Sequence, residues 1–131
     1  MLKRKQQIIT KIHLVLSTLI VVPISIVYGF FPDVELELFP KTIDEYNFYK
    51  AVMGLYLAFT AIWVLGIFKT YYLKLALISN ITFMLGLGFG RLLSVGVDGI
   101  PTSGFIFGTI GELFLGFYGV FIINSKYYKK V

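Results

Sequence analysis

Four apolar stretches, each about 20 residues long, take up most of this 131-residue chain. A helix that crosses the hydrocarbon core of a bilayer needs ~20 consecutive apolar residues, and each stretch meets that length. A chain this short cannot enclose four such segments in one interior, so lipid has to solvate their outer faces. Composition agrees: 57% of the residues are hydrophobic and 15% are charged. The predicted fold is all-α, one integral membrane domain over residues 1–131, with four antiparallel transmembrane helices in an up-down bundle. The apolar runs place the helices at about 12–31, 47–68, 73–95 and 104–124.

The first run follows a basic start (Lys3, Arg4, Lys5, Lys11). That resembles a signal peptide, but the run is too long and no small-x-small cleavage site follows, so it is read as an uncleaved helix. Pro23 inside it is tolerated as a kink, with Thr18 and Ser25 near enough to satisfy freed backbone groups. Residues 32–46 form the longest polar connection and hold five of the seven acidic residues. Its alternating stretch, Val34 to Phe39, reads as a segment lying on the lipid surface, because a lone strand has no partner. Aromatic and basic belts mark the turn at Lys69–Lys74 and the tail after Ser125.

Charge placement predicts the orientation. Nine of the twelve basic residues (Lys3, Arg4, Lys5, Lys11, Lys69, Lys74, Lys126, Lys129, Lys130) fall at one set of helix ends. The opposite loops hold Lys41 and Lys50 among Asp33, Glu35, Glu37, Asp44, Glu45 and Asp98. By the positive-inside rule both termini are cytoplasmic and the acidic loop faces out. The net charge of +5 therefore signals topology rather than a nucleic-acid partner, since no basic face interleaved with aromatics accompanies it. With no cysteine and a single histidine, His13, the chain offers no thiolate site and no multi-histidine metal centre, and no cofactor or metal is expected. His13 itself reads as a residue near the membrane boundary.

The polar residues inside apolar segments are the candidates for function. Arg91 falls about four residues from the outer end of the third helix, a depth of roughly 6 Å, and Glu112 lies about 12 Å deep in the fourth. Either charge alone in lipid costs about 2.5–3.5 kcal/mol, so an Arg91–Glu112 ion pair facing the bundle interior is expected. The competing reading is that Arg91 snorkels outward to meet Asp98. Asn80, Met84, Leu87 and Arg91 share one face of the third helix, and Gly104, Gly108, Glu112, Gly116 and Gly119 form a stripe on the fourth. That stripe permits close backbone approach, either within the monomer or in a homodimer through Gly104, Gly108 and Gly116. Tyr56 lies at a similar depth and could donate its hydroxyl to the Glu112 carboxylate. The sequon Asn80-Ile-Thr82 lies mid-membrane. Gly86-x-Gly88-x-Gly90 lacks the strand and spacing of a phosphate loop.

The run Gly90-Arg91-Leu92-Leu93-Ser94, then Asp98-Gly99-x-Pro101 and Glu112, together with Met53-Gly54-Leu55-Tyr56-Leu57, resembles a family of small bacterial four-helix membrane proteins known as a domain of unknown function. The resemblance spans residues 51 to 119, and at greater distance it is similar to the DoxX-like four-helix membrane proteins. It implies an integral inner-membrane protein without an assigned reaction. It points to Arg91, Asp98, Gly99, Pro101 and Glu112 as positions to test.

Three functions fit these residues. The first is a non-enzymatic accessory subunit of a larger membrane complex or a small-ligand binder, with the Arg91–Glu112 centre lining an outward-opening pocket. The second is a proton-coupled carrier in which Glu112 changes protonation state. The third is a membrane enzyme acting on a lipid or quinone, with Glu112 as acid or base. Four helices without internal repeats weigh against the carrier, and the lack of a nucleophile–base set weighs against the enzyme.

Overall fold

The computed structural model describes residues 2–130. Four long helices dominate: α1 (Leu2–Phe30), α3 (Ile43–Phe68), α4 (Leu73–Asp98) and α5 (Ser103–Ile123). Two single-turn helices, α2 (Pro32–Glu35) and α6 (Lys126–Lys129), cap opposite ends, and no strand occurs among the described residues. Each long helix is long and apolar enough to cross a membrane. Their outer faces carry large exposed apolar side chains, among them Leu19, Leu93, Phe107, Phe114 and Phe121, a surface suited to lipid rather than water.

The helix ends differ from the apolar runs, and local chemistry explains each difference. α1 begins about ten residues earlier than its apolar run, because the chain ends pack on one another. The hydroxyls of Thr10 and Tyr128 lie 2.6 Å apart, and Gln7 Nε2 donates to the Tyr127 hydroxyl at 3.2 Å. Tyr128 is buried against Leu77 and Ile122. α3 begins at Ile43, four residues early, because Thr42 and Glu45 form a capping box: Glu45 N–H donates to Thr42 Oγ1, and Thr42 N–H to Glu45 Oε2. α4 runs on to Asp98 and stops at Gly99, whose φ of 108° is open to glycine at little cost.

The acidic connection packs on the bundle over part of its length. After the turn of α2 it folds back, and Leu36 and Leu38 pack on the core while Val34 and Phe39 stay exposed. Lys50 ties its base down, donating from Nζ to the Gly29 carbonyl at 3.0 Å, near the orphaned carbonyls at the end of α1. Pro23 is accommodated otherwise than expected. Thr18 and Ser25 bond the Leu14 and Val22 carbonyls within their own turns, not the Leu19 carbonyl whose usual partner proline lacks.

In the bundle α1 packs on α3, α3 on α4 and α4 on α5, and the ring closes through a sparser seam between α5 and α1. The core is Leu14, Trp63, Leu73, Met84 and Leu115, with Phe83 stacked edge-on among Tyr56 and Trp63. The α4–α5 seam is close because small residues receive large ones in both directions. Leu113 lies over Gly88, Leu85 over Gly116, and Ile81 over Gly119. Gly116 and Gly119 thus pack inside the monomer, whereas nothing lies over Gly108.

This packing sets the sign of two alanine substitutions. A Cβ on Gly66 would run into the Cβ of Ala76 and stand 3.3 Å from the Tyr72 carbonyl oxygen, neither of which can swing away. Gly66→Ala should destabilise the folded bundle by about 1–3 kcal/mol. Gly54, with nothing within 4 Å of such an atom, should tolerate alanine with a small gain from helix propensity. Denaturation of both variants in detergent measures this, and equal stability of the two would contradict the packing described.

Candidate functional site

Arg91 stands seven residues before the end of α4 and Glu112 nine residues after the start of α5, so neither reaches a helix terminus. The extension of α4 to Asp98 puts Arg91 at about 10 Å depth, deeper than the apolar run implied. Arg91 Nε donates to Glu112 Oε2 at 2.9 Å and to Oε1 at 3.1 Å. The two side chains are 20% and 14% exposed. Charges at this depth in an apolar bundle are tolerable only when paired and hydrogen-bonded, and the α4–α5 glycine seam brings their backbones near enough to do both.

A third group completes the pair. Arg91 Nη2 donates to the Tyr28 hydroxyl at 3.1 Å, which ties α1 to the charges. The guanidinium also lies 5.4 Å from the centre of the Phe105 ring, where a cation meets the negative face of the π system. Tyr28 was within reach of the sequence, since it sits in the last turn of the first apolar run at the same end as Arg91. Position alone does not single it out, because a tyrosine at a helix end is also the usual residue of an interfacial belt.

The remaining candidates separate. Tyr56 is buried but makes no hydrogen bond to Glu112; its ring packs edge-on against Tyr28 at 5.5 Å and Phe83 at 4.9 Å. Asp98 stays exposed at the end of α4 and accepts from Ser94 Oγ at 2.8 Å, so Arg91 does not snorkel to it. Asn80 is fully buried far from the pair, with neither amide atom bonded. His13 faces the bundle interior. Because α1 starts at Leu2, the ring lies three turns inside the helix, buried, with Nε2 2.8 Å from the Leu115 carbonyl oxygen.

Three cavities meet at the charged pair. The first, about 340 Å³, lies along the sparse α1–α5 seam. Its walls are Ile20, Val21 and Ile24 of α1, Met84 and Leu87 of α4, and Gly104, Gly108 and Gly111 of α5. Glu112 and Tyr56 also line it, and Glu112 is its one charged lining residue. At its mouth Ile20 is 48% and Phe107 72% exposed on the outer, apolar surface. The second, about 460 Å³, touches Arg91, Tyr28 and Tyr56 from the α3–α4 side, and the third, about 230 Å³, touches Arg91 beneath Pro101 and Phe105. Among the described residues, no group of three His, Cys, Asp or Glu side chains could hold a metal ion.

Residues 9–123 match the family described as Domain of unknown function (DUF4345), and the chain belongs to that family. No curated protein and no solved structure matches it.

The ion pair yields a test by double substitution. Arg91→Ala leaves the Glu112 carboxylate buried and unpaired and should cost about 3–5 kcal/mol. Arg91→Ala/Glu112→Gln should cost less than the single change, because no charge remains stranded. Tyr28→Phe should lose about 1.5–3 kcal/mol, as expected for a hydrogen bond to a charged group. Unfolding titrations in mixed detergent measure these variants beside Glu112→Gln, and a loss in the double variant equal to the sum of the two single losses would mean that the pair contributes no coupling.

Proposed function

We propose that the protein is a non-enzymatic membrane binding protein for a small, largely apolar molecule carrying one hydrogen-bonding group. The observation that carries this reading is the cavity on the α1–α5 seam, apolar along its walls and ending on the Glu112 carboxylate. Its volume of about 340 Å³ lies in the range of small-molecule sites, which are typically apolar with a few convergent polar groups. The ligand tail lies against Ile20, Ile24 and Leu87, and its head bonds the carboxylate that Arg91 and Tyr28 hold in place. Both carboxylate oxygens accept from Arg91 Nε and face the cavity as acceptors, so the favoured head group is a donor such as a hydroxyl or amide.

Native mass spectrometry of the detergent-solubilised protein, beside Arg91→Ala, tests the reading. A small molecule retained by the wild type and lost from the variant would establish the site and identify the ligand. A bare monomer in both would reduce the pair to a structural element. A bare dimer would assign the groove, with Gly104 and Gly108 on its wall, to a second copy of the chain. A proton-coupled carrier would instead give pH-dependent flux in liposomes that Glu112→Gln abolishes, and an enzyme would turn over a lipid or quinone.

The same reading sets the protein in a bacterial inner membrane with both termini cytoplasmic and the acidic connection outside. What supports it is the clustering of nine basic residues at the end of the bundle that carries the termini. Because the chain has no cysteine, single replacements report cleanly. Glu37→Cys should react with a membrane-impermeant maleimide in intact cells and Lys130→Cys only after lysis. The opposite pattern would invert the topology.

A further inference from the structure

Away from the charged pair, toward the end that carries the termini, five of the described residues bury side-chain polar atoms that bond no other protein group; one, Ser125, is a half-buried residue just after α5, and the other four lie inside the bundle. The atoms of those four are His13 Nδ1, Ser17 Oγ, Trp63 Nε1 and both amide atoms of Asn80. All four residues are buried to within 2% of completely. They come from three helices yet share one level. His13 Cε1 and the Ile81 side chain meet over Gly119, where a Cβ would stand 3.4 Å and 2.7 Å from them, and Ile81 adjoins Asn80. The Trp63 ring packs on Phe83 at 5.2 Å, and Phe83 is three residues from Asn80 on the same helix face. Ser17 is one turn from His13 on α1. The Thr10–Tyr128 hydroxyl pair, a turn below His13, closes the layer from the end of the bundle.

Unpaired polar groups are costly in a protein interior and costlier in a bundle surrounded by lipid, where no outside water can reach them. Native interiors keep such groups only when a partner satisfies them, and at polar internal sites that partner is commonly a buried water. The chemistry on offer is mixed. The Leu115 carbonyl can only accept, so His13 Nε2 carries the hydrogen and Nδ1 of the neutral ring is a bare acceptor. Trp63 Nε1–H only donates, while Ser17 and Asn80 do both. An apolar guest would leave every one of these atoms unmet, and none of the four side chains carries a fixed charge to hold an ion. We propose that the His13–Ser17–Trp63–Asn80 layer is a second internal site, which binds water molecules bridging α1, α3 and α4. This site is independent of the groove at Glu112. It would hold a polar, hydrated level inside the half of the bundle opposite the charged pair.

Trp63 is the single tryptophan of the chain and reports directly. X-ray radiolysis generates hydroxyl radicals from water in place, so a fully buried ring is oxidised only when water lies beside it. In the purified protein in detergent, mass spectrometry should find Trp63 oxidised despite its burial, alongside the 90% exposed control Tyr71. Asn80→Leu should lower Trp63 oxidation several-fold and move its fluorescence to shorter wavelength, as an indole in a dry site emits. Ser17→Ala, a milder change, should lower oxidation in the same direction. A wild-type Trp63 that stays unmodified at doses oxidising Tyr71 would overturn the proposal, whatever the variants do. So would equal oxidation in the wild type and both variants.

Discussion

Two opposite charges inside an apolar bundle can persist only in each other's company, and the rest of the architecture follows from keeping Arg91 and Glu112 together. The pair needs α4 and α5 in a fixed register at short range. Reciprocal packing of Leu113 over Gly88, Leu85 over Gly116 and Ile81 over Gly119 supplies both. A second guanidinium nitrogen, Nη2, donates to Tyr28 of α1, which couples the first helix to the last two. An error in the register of any of the three would strand a charge, and the penalty for that exceeds what the pair itself contributes. The polar centre therefore acts as a register lock as well as a candidate site.

Much of this was legible in the residues. Apolar run length identifies four helices because the bilayer imposes a minimum span. The depth of Arg91 and Glu112 on neighbouring antiparallel helices identifies their pairing, because the cost of isolation leaves few alternatives. What was not legible depends on contacts between segments distant in sequence. The identity of the tyrosine at the pair depended on how α1 rotates against α4, and Tyr28 and Tyr56 were both at plausible depth. That the His13 ring turns inward to the Leu115 carbonyl depended on how α1 packs against α5, and the start of α1 at Leu2 on Thr10 and Gln7 having Tyr128 and Tyr127 to hold. The Thr42–Glu45 capping box, by contrast, is a local signal that could have placed the start of α3 from the sequence alone.

The bundle divides its polar groups between two levels of different character. Near the acidic connection the centre is charged, stacked on Phe105 and in contact with three cavities. Toward the termini the buried polar atoms are neutral and none of their residues lines these cavities. Between them Phe83 fills the middle of the bundle, touching Tyr56 above and Trp63 below. This aromatic plug keeps the two levels apart, which is why substitutions in one should leave the other's behaviour largely intact.

The mouth of the Glu112 groove lies between Ile20 and Phe107, on a flank of the bundle rather than at either end. A guest of the kind proposed, entering there, would arrive from the hydrocarbon phase. Its occupancy would then be governed by its mole fraction in lipid, not by its aqueous concentration. Added vesicles or detergent micelles would act as a competing solvent: at fixed amounts of protein and guest, they would empty the groove by dilution. An affinity for such a guest would have meaning only when the volume of the surrounding apolar phase is stated with it.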